Sequence, residues 1–192
     1  MVPFVILAVK GIIHRPWLPK LALAFLLGSL QGVLGWYMVK SGLIDRPDIS
    51  QYRLVAHLGA ALMIMGYLLW LALDFLAPPR EAQARGPAPL YRFARMIMTL
   101  VTATILAGGF VAGLDAGFAY NTFPLMDGQI IPAAAFASDP WYRSFFEDIA
   151  TVQFEHRVLA IGTLIAVAVF WIKSLSASMP ARAKAVVHCL MA

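Results

Sequence analysis

Four uncharged apolar runs, each about as long as a bilayer core requires of a helix, decide what this chain can fold into. They extend approximately from Leu21 to Val39, Leu54 to Leu73, Met96 to Leu114 and Val158 to Ile172, the last lengthened on its N-terminal side by Ile149 to Phe154. Lipid offers no hydrogen bonds to a peptide group, so each run must satisfy its own backbone, as a helix does. With 61% hydrophobic and 13% charged side chains and a mean hydropathy of +0.76, the chain cannot cover its apolar surface as a soluble domain does. The expectation is an all-α, multi-pass transmembrane bundle whose main solvent and partner is membrane lipid.

Two shorter apolar segments, Met1 to Val9 and Ala185 to Ala192, flank the four and read as cut spans. The opening has no Lys/Arg-rich region and no small-residue cleavage site, which argues against a cleaved signal peptide, so we expect a truncated chain. Cys189 is the single cysteine, which excludes an internal disulfide or a cysteine-rich metal site. Positive charge sets the orientation. Lys10, Arg15, Lys20, Arg80, Arg85, Arg92, Arg95, Lys173, Arg182 and Lys184 fall in one set of connections, and only Lys40, Arg46, Arg53 and Arg143 in the other, so the first set lies inside. The net charge of +5 follows from this bias. Basic and aromatic residues do not interleave as a nucleic-acid surface would require, so no nucleic-acid partner is expected.

The Pro/Ala/Arg-rich stretch PPREAQARGPAP (Pro78 to Pro89) reads as a linker between two halves: 1–77, an inner linker at 78–90, and 91–192. On the outside, Asp115 to Asp148 carries Phe118, Tyr120, Phe123, Trp141, Tyr142, Phe145 and Phe146, too aromatic for disorder and suited to a cap at the membrane interface. Asp139 and Pro140 read there as N-cap and first residue of a short helix. Gly28 and Gly32, and Gly109 and Gly113, have the spacing that lets helices approach closely, which points to ordinary packing rather than to a special dimer.

Ionisable groups inside a membrane are costly unless they face a cavity, a partner or a metal. His57 lies seven residues beyond Ser50, the expected N-cap of its helix, and His156 lies eight beyond Asp148. At ~1.5 Å per residue both sit roughly 10–12 Å below the outer surface. Neutral imidazole is a common iron ligand and needs no buried charge, so two histidines at matched depth suggest ligands for planar cofactors. Ala60, Ala61 and Ala160 leave room beside the rings for a flat macrocycle. A histidine hydrogen-bonded to a neighbouring helix is the plain alternative, about equal for either residue alone; the match in depth favours ligation. Arg53 and Arg157 stand near the two histidines and could pair with heme propionates, although snorkelling to the headgroups is the better account of Arg53 alone. Gln153 shares the face of His156 and could hydrogen-bond a cofactor edge, whereas Glu155 points about 100° away. His14 and His188 have solvated or packing roles by default. Dinucleotide, phosphate-loop, zinc-protease and hydrolase motifs are missing, which leaves redox chemistry on a bound cofactor.

The runs QGVLGWYMVKSGL (Gln31 to Leu43), Asp45-Arg46-Pro47, SQYRLVAHL (Ser50 to Leu58), GGFVAGLDAGFAYNTFPLMDGQIIP (Gly108 to Pro132) and VQFEHRVLA (Val152 to Ala160) resemble the heme A synthase family in its alphaproteobacterial and mitochondrial form. The likeness covers nearly the whole chain. It implies an eight-helix protein in two four-helix halves, of which this chain runs from within helix two to within helix seven, and the oxidation of a heme O methyl group to the formyl of heme A for cytochrome oxidase. His57 would then be the helix-four ligand in the substrate-binding half, and His156 the helix-six ligand of a heme b. The partner histidines, and the family's E-x-x-H-R glutamate of helix two, would lie outside the chain, with Gln153 in the corresponding place before His156. No catalytic acid is therefore assigned, and the fragment alone should be inactive while the full-length protein is an enzyme. The resemblance further implies the bacterial cytoplasmic membrane, or the mitochondrial inner membrane if eukaryotic, and heme O synthase and an electron donor as partners, with a homo-oligomer left open. Two rivals remain: a diheme b-type membrane protein that only relays electrons, and a transporter or assembly scaffold whose buried histidines bind no metal.

Overall fold

The computed structural model describes residues 2–45, 49–76 and 88–189. Most of the expected linker at 78–90, with Arg46, Arg80 and Arg85, lies outside the described residues, as do the last three positions of the terminal segment. Helices α1 (Val2–Val9), α2 (Trp17–Asp45), α3 (Gln51–Leu76), α4 (Ala88–Gly113), α5 (Ser144–Glu147), α6 (Ile149–Leu175) and α7 (Ala181–Cys189) make up the fold. Among the described residues, the sole extended pairing is an isolated bridge between Met126 and Gln129. Four helices are long and apolar enough to cross a membrane: Trp17–Lys40, Gln51–Leu76, Pro89–Gly113 and Ile149–Leu175. Each covers one expected run, save Leu114 just past the third helix, and reaches beyond it on at least one side, because helix propensity does not stop where apolarity does. Leu30, Met63, Leu69, Met98 and Leu164 lie exposed on outward faces, as suits helices solvated by lipid.

The chain divides into two compact units, Met1–Arg80 and Glu81–Ala192. In the first, α2 and α3 form an antiparallel hairpin. Pro19 sits in the first turn of α2, where its missing N–H costs nothing. Ser50 closes the start of α3, its carbonyl accepting from the N–H groups of Arg53 and Leu54, each at 3.0 Å. At the other end Lys20 bonds Asp74 at 2.6 Å, and its ammonium lies 4.7 Å from the Trp17 ring and 5.0 Å from that of Trp70. Tyr67 donates to the Lys20 carbonyl at 2.9 Å, so this end of the hairpin is pinned by polar contacts that an apolar stripe alone would not supply.

In the second unit α4 runs antiparallel to α6. Phe93 meets Phe170 edge-on at 5.7 Å near one end, and Thr104 and Thr163 share a hydrogen bond of 2.9 Å near the middle. Asp148 caps α6, its side chain accepting from the Thr151 N–H at 2.7 Å. The connection between them is an ordered cap. Asp127 and Gly128, both with positive φ, form a tight turn flanked by reciprocal Met126–Gln129 bonds, and Met126 is sealed beneath it. Thr151 receives the N–H of Phe136 at 2.8 Å, and Ser144 that of Ser138 at 3.1 Å. Asp139 caps nothing, contrary to expectation: the short helical stretch begins at Trp141, with Pro140 extended in the N-cap position.

Candidate functional site

Each unit carries one histidine on its second long helix, facing a glycine on its first. In the first unit the His57 ring lies against Gly35 of α2 so closely that a Cβ there would stand 3.1 Å from Cε1, 3.5 Å from Nε2 and 3.8 Å from Nδ1. In the second, the corresponding distances from Gly108 of α4 to His156 are 3.0 Å to Cε1, 3.5 Å to Nδ1 and 3.7 Å to Nε2. Carbon atoms rest about 3.5–4.0 Å apart, so in both units the imidazole occupies the space a side chain would take. Gly28 and Gly32 make no such approach among the described residues, since a Cβ on either would meet nothing within 4 Å. The close contact that small-residue spacing suggested falls one or two turns away, on the face that carries Gly35.

The surroundings of the two rings differ. Beside His57, Gln31 donates its side-chain N–H to the His57 carbonyl at 2.9 Å, one turn along α2 from Gly35. Arg53 stacks its guanidinium on Tyr37 at 5.2 Å. An open apolar groove lined by Gly28, Gln31, Ala61, Ile64 and Leu68 lies along the hairpin. Beside His156, Gln153 is buried and donates to the Tyr120 carbonyl at 2.9 Å. Arg157 donates to the carbonyls of Tyr120 and Thr122, each at 2.6 Å, and more weakly to Leu125 at 3.4 Å. Both side chains thus draw the cap's carbonyl oxygens over the start of α6, a structural task that their proximity to His156 in sequence did not reveal. Glu155 is half-buried on another side of α6.

The remaining histidines have no part in either site. His14 is exposed in the α1–α2 connection, and His188 accepts the Trp171 indole N–H at 3.2 Å. Among the described residues no three of His, Cys, Asp and Glu gather as a metal cluster. Each helix pair thus presents one imidazole as a nitrogen donor, which suits a metal whose other ligands come from a macrocycle. The residues fit that role in a second respect. In both histidines Nδ1 is sealed without a partner while Nε2 is not, so Nε2 is the nitrogen available to a ligand.

Gly35, Gly108 and Gln31 escaped the reading of the sequence. A signal existed for them: Gln31 is a polar side chain inside an apolar run, and Gly35 lies four residues on, hence on the same helix face.

The family described as "Cytochrome oxidase assembly protein" (COX15-CtaA) matches residues 1–192. A protein named "Heme A synthase" from Nitrosospira multiformis is 52% identical over 174 residues, covering 90% of this chain and 49% of its own length. Proteins of the same name from Paramagnetospirillum magneticum and Nitrosomonas eutropha are 47% and 44% identical, covering 98% and 99% of this chain. The chain spans about half the length of the curated relatives it matches. No solved structure matches it. With four membrane-length helices and a family match along its whole length, the chain belongs to the COX15-CtaA family of cytochrome oxidase assembly proteins.

Proposed function

We propose that this chain is part of a heme A synthase, a membrane oxidoreductase that converts a methyl group of heme O to the formyl group of heme A for cytochrome oxidase. The observation that carries the reading is the repeated construction of a helix-borne imidazole against a bare glycine, Nδ1 sealed and Nε2 available, in a chain 44–52% identical to proteins of that name. His57 would hold the substrate heme and His156 a heme b. A bound heme supplies the redox chemistry; the protein's task is to fix the porphyrin and keep its surroundings dry. Gly35 and Gly108 let each imidazole lie between helices, and Arg157 and Gln153 hold the cap above His156. Arg53 and Arg157 remain within reach of the outer rim where heme propionates would lie.

On this reading the catalytic glutamate and the second histidine of each pair would come from other parts of the full-length protein, which would be the enzyme. Its place is the bacterial cytoplasmic membrane, or the mitochondrial inner membrane if eukaryotic. An enzyme that makes heme O and an electron donor would be its partners, and the reading is compatible with a homo-oligomer. A second reading, a diheme electron relay, is favoured by the likeness of the two histidine–glycine pairs.

Pigment extraction from the full-length protein, purified from membranes that make heme O, separates the readings. Heme O or heme A in the extract supports the synthase, and heme b alone supports the relay. A colourless protein without a Soret band rejects both.

A further inference from the structure

Among the described residues, four buried side-chain polar atoms have no hydrogen-bond partner: Gln31 Oε1, His57 Nδ1, Gln153 Oε1 and His156 Nδ1. Buried polar atoms are nearly always paired, and each exception calls for a reason. These exceptions are not scattered. Each unit contains one orphaned imidazole nitrogen and one orphaned carboxamide oxygen, a potential donor and a pure acceptor.

The two carboxamides are also restrained alike, each through its nitrogen on a backbone carbonyl. Gln31 is tied to the carbonyl of His57 itself at 2.9 Å, so its oxygen remains beside the residue whose ring lacks a partner. Gln153 is tied to the Tyr120 carbonyl at 2.9 Å and precedes His156 by three residues, on the same face of α6. A neutral imidazole has a single N–H. When Nε2 gives its lone pair to a metal, the proton resides on Nδ1, and metal-bound histidines almost always hand that proton to an acceptor.

We propose that Gln31 and Gln153 are positioning residues for heme ligation, their carboxamide oxygens accepting the Nδ1–H of His57 and His156 once Nε2 coordinates iron. A bond within each pair would satisfy all four orphaned atoms. The contact fixes the tautomer, sets the ring plane and strengthens Nε2 as a donor. Two glutamines from different helices, reached by different backbone tethers, then do the same work in the two units. This inference rests on the heme-ligation reading above.

The test uses the full-length, heme-loaded protein with Gln31→Met and Gln153→Met, which keep side-chain length and remove both the acceptor and the N–H tether, and with Gln31→Glu and Gln153→Glu, which lose the tether and keep the acceptor. Outer-shell partners of metal-bound histidines affect affinity about 10- to 100-fold, so each Met variant should release its own heme at least tenfold faster than wild type. A weaker donor favours ferrous over ferric iron. A tenfold change in that preference is a rise of about 59 mV in the midpoint potential of the affected heme. In ¹⁵N-histidine-labelled, reduced protein the Nδ1–H resonance of the affected ligand should move, while the Glu variants, which keep the acceptor alone, should release heme more slowly than the Met variants. Release rate, potential and Nδ1–H resonance all unchanged in the Met variants would overturn the proposal, provided that His57→Ala and His156→Ala each lose a heme. If those alanine variants keep both hemes, the ligation reading falls, and this inference with it.

Discussion

Replacing Gly108 by alanine sets two physical effects against each other, and the structure says which should win. In a helix interior, alanine is worth roughly 1 kcal/mol over glycine, so the change would ordinarily stabilise α4. Here the new methyl would stand 3.0 Å from His156 Cε1, with both ring nitrogens inside 4 Å. The shortfall from a comfortable carbon contact is about 0.5–1 Å. Either the ring swings away from its present plane, or α4 and α6 part and stretch the Thr104–Thr163 bond one turn along, now 2.9 Å. Overpacking of this kind costs roughly 1–3 kcal/mol, which cancels or exceeds the gain in propensity. Gly162, on α6 with nothing within 4 Å of its added Cβ, is the matched control. Thermal unfolding in detergent should therefore show Gly162→Ala more stable than wild type and Gly108→Ala no more stable, or less. On titration with heme, Gly108→Ala should bind at the His156 site at least tenfold more weakly, about 1.4 kcal/mol, read from the Soret band. Wild-type heme affinity in Gly108→Ala, together with a stability gain equal to that of Gly162→Ala, would refute the claim that the glycine exists to seat the ring.

Substitutions at three further positions probe the frame around that ring. Arg157→Leu removes the fork that holds the Tyr120 and Thr122 carbonyls at 2.6 Å each, and limited proteolysis should then cut the 120–125 segment faster than in wild type. Arg157→Lys should be intermediate, because an ammonium cannot span both carbonyls as a planar guanidinium does. Asp148→Ala removes the acceptor of the Thr151 N–H and should lower stability by about 1 kcal/mol in a denaturant titration. Thr104→Val removes an interhelical hydrogen bond and should cost only about 0.6 kcal/mol, the usual size of such bonds in membrane proteins.

The membrane helices were legible because an apolar run of bilayer length has few other ways to satisfy its backbone, and both histidines were legible because an imidazole inside such a run demands an explanation. The partners across the helix pair were not. Which glycine of α2 faces His57 depends on the axial register of the two helices, and Gly28, Gly32 and Gly35, on nearly one face about a turn apart, look alike until that register is known. The near-uniform apolarity of these helices weakens the pattern that would otherwise reveal the facing side. Arg157 shows the opposite failure. Its place beside His156 gave no sign that it also holds carbonyls of a cap more than 30 residues earlier in the chain. Sequence adjacency cannot disclose that return. The mistaken cap at Asp139 is a smaller instance, for Pro140 takes the extended conformation and the helical turn starts beyond it.

The differences between the two units bear on which heme each would hold. Around His156 the chain spends residues 114–148 on a packed cap, tied down by Arg157 and Gln153 and closed by Met126, Ser144 and Thr151. Around His57 the corresponding connection, between the end of α2 and the start of α3, is residues 46–50 alone. The groove beside Gln31 and Ala61 is open along its length. A cofactor that stays benefits from a cap whose removal would break several hydrogen bonds, whereas a substrate that must enter and leave at every turnover is hindered by one. Hence, on the proposed reading, heme at His57 should exchange with added heme much faster than heme at His156, which an isotope-labelled heme chase in the full-length protein would measure. Equal exchange rates at the two sites would mean that the cap does not govern residence, and the assignment of substrate to one unit and resident cofactor to the other would lose its physical basis.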